Sequence, residues 1–212
     1  MIQELEQGSV EWRLARAGFV TASRITDVCR KPRKGQGESV SRKAYMAQVI
    51  SERLTGKPIE QQFESWDTRR GTNLEPMARA EYEILTGAAV RSVGFVEHPS
   101  IPFAGASPDG LVGNEGMAQV KCPRTHVHLD YILAGIVPAE YRPQMYFEMA
   151  CTGRQWSDFV SYESNLPNHL QLFVVRLQRD EAEIQHIEEE VQRFLSDVED
   201  IMRKLPPKEA AE

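Results

Sequence analysis

The sequence predicts an α/β fold in which a mixed central β-sheet is flanked by helices. Three observations predict it. Helical apolar periodicity dominates the chain up to position 86, short strand-like runs broken by Gly, Pro and Asn cluster from 90 to 121, and a helix, two strands and a long amphipathic helix close it. Helices and strands in that succession pack as a sheet layer covered by helical layers.

The chain has 212 residues, enough for one substantial core, so a single domain over 1–205 is expected, with 206–212 as a disordered tail. Hydrophobic residues make up 41% and charged ones 26%, ordinary for a soluble globular protein. No apolar run approaches the ~20 residues that span a bilayer, and the start, Met-Ile-Gln-Glu-Leu-Glu, lacks a secretory signal's basic and apolar regions. Cys29, Cys122 and Cys151 are odd in number and widely spaced, matching neither a disulfide framework nor a zinc pattern, so a reducing cytoplasm is expected. A net charge of −6 argues against indiscriminate coating of nucleic acid, though not against an enzyme whose cations line a cleft.

Taken in order, Ser9 caps a first helix over 10–17, with Val10, Leu14 and Ala17 inward and Gly18 ending it. Thr21 and Ser23 are candidate caps of a second short helix through Val28, and such a helix start, with Arg16 beside it, also suits a phosphate. The basic loop 31–37 is either a solvated loop or a contact for a DNA backbone. A third helix over 41–55 carries Ala44, Ala47 and Leu54 together with Tyr45, Val49 and Ile50, and Gly56 closes it. Positions 62–70 are ambiguous, with Phe63 and Trp66 read as core rather than as a platform for bases.

A helix over 73–86 turns Leu74, Met77, Ala78, Tyr82 and Leu85 inward, with Gly87 past its end. Thr72 and Glu75 have the spacing of a capping box. Positions 90–98 and 101–106 read as strands, 126–134 as a short helix, and 138–152 as a helix that Pro143 kinks or delays. His126 and His128 lack further ligands at a fixed spacing and are not read as a metal site. Positions 156–162 read as an edge strand and 170–177 as a richer apolar strand. From 180 to 205, Ile184, Ile187, Val191, Phe194, Leu195, Val198, Ile201, Met202 and Leu205 keep the 3.6 period, with Glu188, Glu189 and Glu190 as a solvated face.

The chemistry concentrates in Ser107-Pro-Asp-Gly-Leu-Val-Gly-Asn-Glu-Gly-Met-Ala-Gln-Val-Lys-Cys-Pro123. A Pro/Gly turn, two short apolar runs and a Gly/Asn loop between them describe a hairpin. Its geometry brings Asp109 beside Gln119 and Lys121, which share a strand face because they are two apart. A carboxylate, an amide oxygen and an ammonium in one small volume suit metal-assisted phosphodiester cleavage. Asp109 would hold the ion, the Gln119 carbonyl would add a neutral oxygen, and Lys121 would position a water or offset developing charge. An ordinary surface turn is the alternative reading of the same residues.

Pro108-Asp109 followed by Gln119-Val-Lys121 resembles the PD-(D/E)xK nuclease signature. The longer run resembles the lambda-exonuclease group, the YqaJ-like viral recombinases, as do Arg16-x-Gly-x-x-Thr-Ala-Ser23, Arg70-Gly-x-x-x-Glu75 and Tyr141-x-x-Gln144. That resemblance implies a restriction-endonuclease-like core and an Mg²⁺-dependent exonuclease that digests one strand of linear duplex DNA from its 5′ end, with Mn²⁺ able to substitute. It implies Asp109 as main metal ligand, Glu75, Gln119 and the Val120 carbonyl as supporting oxygens, and Arg16, Ser23, Ser107 and Gln144 as a 5′-phosphate pocket. Double-stranded DNA ends as substrate, a ring-shaped homotrimer and a recombination role with a single-strand annealing protein are implied in the same way.

Gln119 stands where the family has Glu or Asp, which supports a rival reading, a DNA-end-binding protein weakened in catalysis. A restriction-type endonuclease is a third, because the core motif is shared.

Overall fold

Two hydrogen-bonded sheets and the helices against them position everything else. A computed structural model describes residues 2–31, 37–59 and 66–206; most of the basic loop, Phe63 and the expected tail beyond 206 lie outside the described residues, as does the Trp66 side chain. The chain runs β1 (Ile2–Gln3), α1 (Val10–Arg16), β2 (Val20–Thr21), a 3-10 turn (Ala22–Arg24), α2 (Ile25–Cys29), α3 (Val40–Thr55) and α4 (Trp66–Thr86). Then come β3 (Val90–Arg91), β4 (Phe95–Glu97), β5 (Ala104–Ala106), β6 (Gly110–Val112) and β7 (Gly116–Lys121). The last part is α5 (Thr125–Ala134), α6 (Arg142–Thr152), β8 (Trp156–Tyr162), α7 (Asn168–Gln171), β9 (Leu172–Gln178) and α8 (Glu181–Lys204).

The larger sheet has the order β3-β6-β7-β8-β9 and the smaller β1-β4-β5-β2. Both are mixed: β7 pairs β8 in parallel across the α5–α6 crossover, β2 pairs β5 in parallel, and the remaining pairs are antiparallel. Alternation along the strands divides the larger sheet's two faces. Val112, Ala118, Val120, Val160 and Tyr162 pack with Ala78 and Tyr82 of α4 on one side. On the other, Phe159 packs with Tyr131 and Met145, and Leu111 and Met117 join a core with Phe147 and Met149 of α6, α2, α3 and α8. Gln119 and Lys121 follow Met117 by even steps and therefore face α6.

Several sequence expectations are corrected by this packing. Val10 and Leu14 point outward, because α1 turns its Trp12–Arg16 stripe toward the protein instead. Thr21 makes no side-chain cap, and Ser23 lies inside the 3-10 turn. In α3 the buried stripe is Tyr45, Met46, Val49 and Ile50, leaving Ala44, Ala47 and Leu54 exposed, and Ser39 caps the helix. Helix α4 starts at 66 and runs through Gly71 and Pro76, so Thr72 is interior and the capping box with Glu75 does not form; Met77 and Leu85 are exposed.

The expected strands 90–98 and 101–106 are each shorter or broken, and 170–171 belong to a helical turn. Strand β8 is interior, not an edge, and β9 is the edge. Its Asp158 is only 2% exposed and accepts hydrogen bonds from Tyr82 Oη at 2.8 Å and from the Arg176 fork at 2.8 and 2.9 Å. Those partners let a charged residue sit between two covered faces. At the end of the molecule Ile201 and Leu205 remain partly exposed, and Glu188 bonds the buried His98 ring at 3.0 Å rather than being simply solvated.

Close approach of backbones explains one glycine. A Cβ on Gly94 would lie 2.5 Å from the backbone nitrogen and oxygen of Leu5, so no side chain fits where the N-terminal segment crosses.

The Asp158 cluster gives a stability prediction. Asp158→Ala leaves a buried hydroxyl and a guanidinium without their acceptor; because the Arg176 side chain is 46% exposed, part of the cost is relieved by water. The unfolding free energy in urea should fall by about 3 kcal/mol; a fall below about 0.5 kcal/mol, the level of an ordinary surface change, would contradict the assignment.

Candidate active site

The β6–β7 register pairs Gly110 with Ala118, Leu111 with Met117 and Val112 with Gly116. Extended by one step, it sets Asp109 opposite Gln119. The Asp109 Oδ2 atom accepts the Val120 backbone N–H at 2.7 Å and a short hydrogen bond from Gln119 Nε2. Burial pushes the Asp109 carboxyl above the usual carboxylate range, while Lys121, the Val120 N–H and Arg79 pull it back. From α4, Arg79 donates to the Asp109 carbonyl at 2.6 Å and to Glu75 Oε1 at 3.1 Å. Glu75 therefore stands one guanidinium away from the hairpin, its carboxyl raised by burial first and by the Asp109 charge second. The Lys121 Nζ atom lies 5.3 Å from the centre of the Tyr141 ring, at the start of α6.

Helix α6 starts at Arg142 with Pro143 in its first turn, where the missing N–H is harmless. One turn later Gln144 Nε2 donates both to Gln119 Oε1 at 2.9 Å and to Glu148 Oε1 at 2.7 Å. Gln119 thus shows its nitrogen to Asp109 and its oxygen to α6. Glu148 is 1% exposed, and its Oε2 has no hydrogen-bond partner. Burial and the Asp109 charge push its carboxyl up to about 8, against the pull of the Gln144 amide, Lys121 and Arg16.

The other half of the site comes from the N-terminal elements. Ser9 caps α1 as expected, accepting the Trp12 N–H at 3.1 Å. The Arg16 guanidinium stacks on the Trp12 ring at 4.1 Å and donates to Ser23 Oγ at 3.4 Å. Trp12 Nε1 in turn donates to Ser107 Oγ at 3.0 Å and to the Gly94 carbonyl at 3.2 Å. Burial lowers the Arg16 pKa to about 10, with the acidic groups of Glu148 and Glu52 opposing. Helix α6 packs against both the turn that carries Ser23 and the strand that precedes Ser107, which brings the two halves together.

All eight side chains singled out in the sequence thus lie on these two connected halves. Sequence reasoning missed Trp12, Arg79 and Glu148. Trp12 and Arg79 leave no motif of their own, but Glu148 does leave a signal: one acid inside the apolar run Met145-Tyr-Phe-Glu-Met-Ala150, four residues after Gln144. His128 is fully buried, its ring nitrogens bonded to Ser161 Oγ at 2.7 Å and to the Leu170 carbonyl at 2.8 Å, so it ties α5 to the sheet. Among the described residues no three of His, Cys, Asp or Glu gather at metal-holding distance. What converges instead is a pair of carboxyls, Asp109 and Glu148, linked through the Gln119 and Gln144 amides; carboxylate oxygens suit a hard divalent cation, and the unpartnered Glu148 oxygen fits such an ion.

Residues 11–155 match the model of the YqaJ-like viral recombinase domain. The chain belongs to that family. No curated protein sequence matches it. Among solved structures, this family member resembles an alkaline exonuclease from Laribacter hongkongensis at 47% identity and a TM-score of 0.84, covering 92% of this chain and 95% of that one. The same exonuclease solved with dAMP gives a TM-score of 0.85, again at 47% identity and with 92% and 95% coverage. A phage-related exonuclease from Haemophilus somnus 129PT shares the fold at 17% identity and a TM-score of 0.65, covering 89% of this chain and 96% of that one.

The raised carboxyls of this recombinase-family site have a consequence for stability. Between the ordinary glutamate value of 4.5 and about 8, folded Glu148 holds a proton that the unfolded chain has lost. Stability conferred by that proton is present at low pH and is lost as pH rises through the window; Asp109 and Glu75 act in the same direction. Without divalent ions, the melting temperature should therefore fall between pH 5 and pH 8.5, and less steeply for Glu148→Gln than for the parent. Parallel curves for the two proteins would show that Glu148 does not titrate there.

Proposed function

We propose that this member of the YqaJ-like family is an exonuclease of the phage-recombination type that degrades linear double-stranded DNA from its ends. The observation that carries the reading is the Asp109 carboxylate fixed across the hairpin by Val120 N–H, with Gln144 bridging from Gln119 to the helix that borders Arg16, Ser23 and Ser107. The likeness to a protein named as an alkaline exonuclease, at 47% identity over nearly the whole chain, supports it.

In this reading Asp109 is the main ligand of a Mg²⁺ ion, which Mn²⁺ can replace, and Glu75, the Gln119 side chain and the Val120 carbonyl are supporting oxygens. When bound, the ion supplies Lewis acidity toward the scissile phosphate and makes a water more acidic. Lys121 orients that water or offsets the negative charge that grows on the phosphate. Arg16, half-buried and stacked on Trp12, offers a forked cation to a terminal 5′-phosphate, and Ser23, Ser107 and Gln144 offer hydrogen bonds. Trp12 holds two members of that pocket at once, stacking on Arg16 and donating to Ser107.

A phosphate gripped at one end of the site and cut at the other gives 5′-to-3′ polarity. A homotrimer closed around the duplex and a single-strand annealing partner complete the proposal, in a cytoplasm that keeps the three free thiols reduced. Among the described residues no helix is long and apolar enough to cross a membrane.

Asp109→Ala should lower Mg²⁺-dependent release of nucleotides from linear duplex roughly a thousandfold, the weight of several kcal/mol of lost charge stabilisation. A rate within tenfold of the parent would refute Asp109 as the ligand. Arg16→Ala should reduce the preference for 5′-phosphorylated over 5′-hydroxyl ends by about 10–100-fold, the worth of a charge-assisted contact. Both end types handled as by the parent would mean that the phosphate sits elsewhere.

A further inference from the structure

Glu148 is a buried acid with no cationic partner to explain it. It lies on α6 among Met145, Phe147, Met149 and Ala150, all buried in the core. One oxygen takes a hydrogen bond from Gln144, and the other, fully enclosed, takes none. A carboxyl removed from water keeps its proton unless a cation is there to receive the charge, and it ionises in such a place only against a paired group or a metal. No arginine or lysine among the described residues forms an ion pair with it, and the Asp109 charge acts on it repulsively. A buried acid with an enclosed free oxygen, set near a half-buried one, describes a seat for a cation.

The connection to the hairpin is direct. Gln144 and Glu148 are four apart and so share the face of α6 that looks onto β7. A single amide nitrogen, Gln144 Nε2, bridges the Gln119 oxygen and the Glu148 oxygen. Gln119 itself turns its nitrogen, not its oxygen, toward Asp109 and brings no charge. A Mg²⁺-type site draws on one or two carboxylates, and the strand position beside Asp109 supplies an amide where a second would be convenient.

We propose that Glu148 is the second carboxylate of the divalent-cation site, donated from helix α6 in place of an acid at position 119. The proposal rests on the metal-dependent reading above and deepens it by assigning the charge to a different element. It makes positions 119 and 148 exchangeable carriers of one negative charge, on either side of Gln144.

The test measures Mn²⁺ binding by the whole protein without DNA, by calorimetry or from the electron-spin signal of the free ion. Glu148→Gln should weaken binding by about 10–100-fold or more, as loss of a group supporting a metal does. The double variant Gln119→Glu with Glu148→Gln should return affinity to within a few-fold of the parent. Unchanged affinity in Glu148→Gln overturns the proposal, and if Asp109→Ala then abolishes binding, the metal-dependent reading survives without it. A double variant as weak as the single one overturns the exchange of charge between the two positions. A parent that binds no Mn²⁺ removes the metal-dependent reading and this proposal together. If circular dichroism shows that Glu148→Gln does not fold, Glu148→Asp replaces it: the charge is kept but withdrawn by one methylene, so weaker binding is expected and parental affinity overturns the assignment.

Discussion

The hydrogen bond from the Val120 N–H to Asp109 Oδ2 is the contact on which the site depends. It exists because the short connection from β5 sets Asp109 one step before β6, in line with the β6–β7 register that places it against Gln119. Removing a carboxylate from water is costly, and its carboxyl is raised accordingly. That cost is offset locally by two hydrogen bonds across the hairpin and by the charges of Lys121 and Arg79. Losing the register by one residue would move Gln119 and Lys121 to the α4 face and separate all of these groups.

Around that contact the two helices facing the larger sheet play different parts. Helix α4 brings a cation–anion pair, Arg79 and Glu75, and anchors Asp109 by its backbone carbonyl. Helix α6 brings two uncharged or unpaired oxygen-bearing side chains, Gln144 and Glu148, on an otherwise apolar surface. The smaller sheet adds the cationic end through α1 and the 3-10 turn, with Trp12 as the piece that joins Arg16 to Ser107. An acidic pole and a basic pole are thus built on different sheets and joined by α6.

Much of this was legible in the chain. The hairpin could be read because a Gly/Asn loop separates two short apolar runs, and α8 because its apolar stripe runs for six turns. The inward stripe of the third helix was drawn too wide: Tyr45, Val49 and Ile50 are buried as read, beside Met46, while Ala44, Ala47 and Leu54 fall on the exposed side. The start of α4 was hidden by Gly71 and by the cap-like spacing of Thr72 and Glu75, yet the helix runs through both toward the part where Ala78 and Tyr82 pack on the sheet. Strand β8 resembled an edge because Asp158 looks solvated until Arg176, eighteen residues on, and Tyr82, seventy-six residues back, are seen to bond it. Glu148 escaped for a related reason: an acid inside an apolar run stands out locally, but only the fold shows that it shares the α6 side of the sheet with Asp109.

The claim that the hairpin and α6 together enclose a divalent cation is tested most directly by crystals of the protein soaked in Mn²⁺ and measured at a wavelength where manganese scatters anomalously. The account predicts a peak between β7 and α6, at coordination distance from the free oxygen of Asp109. Soaked crystals with no peak there, or with ions only elsewhere on the molecule, would contradict it.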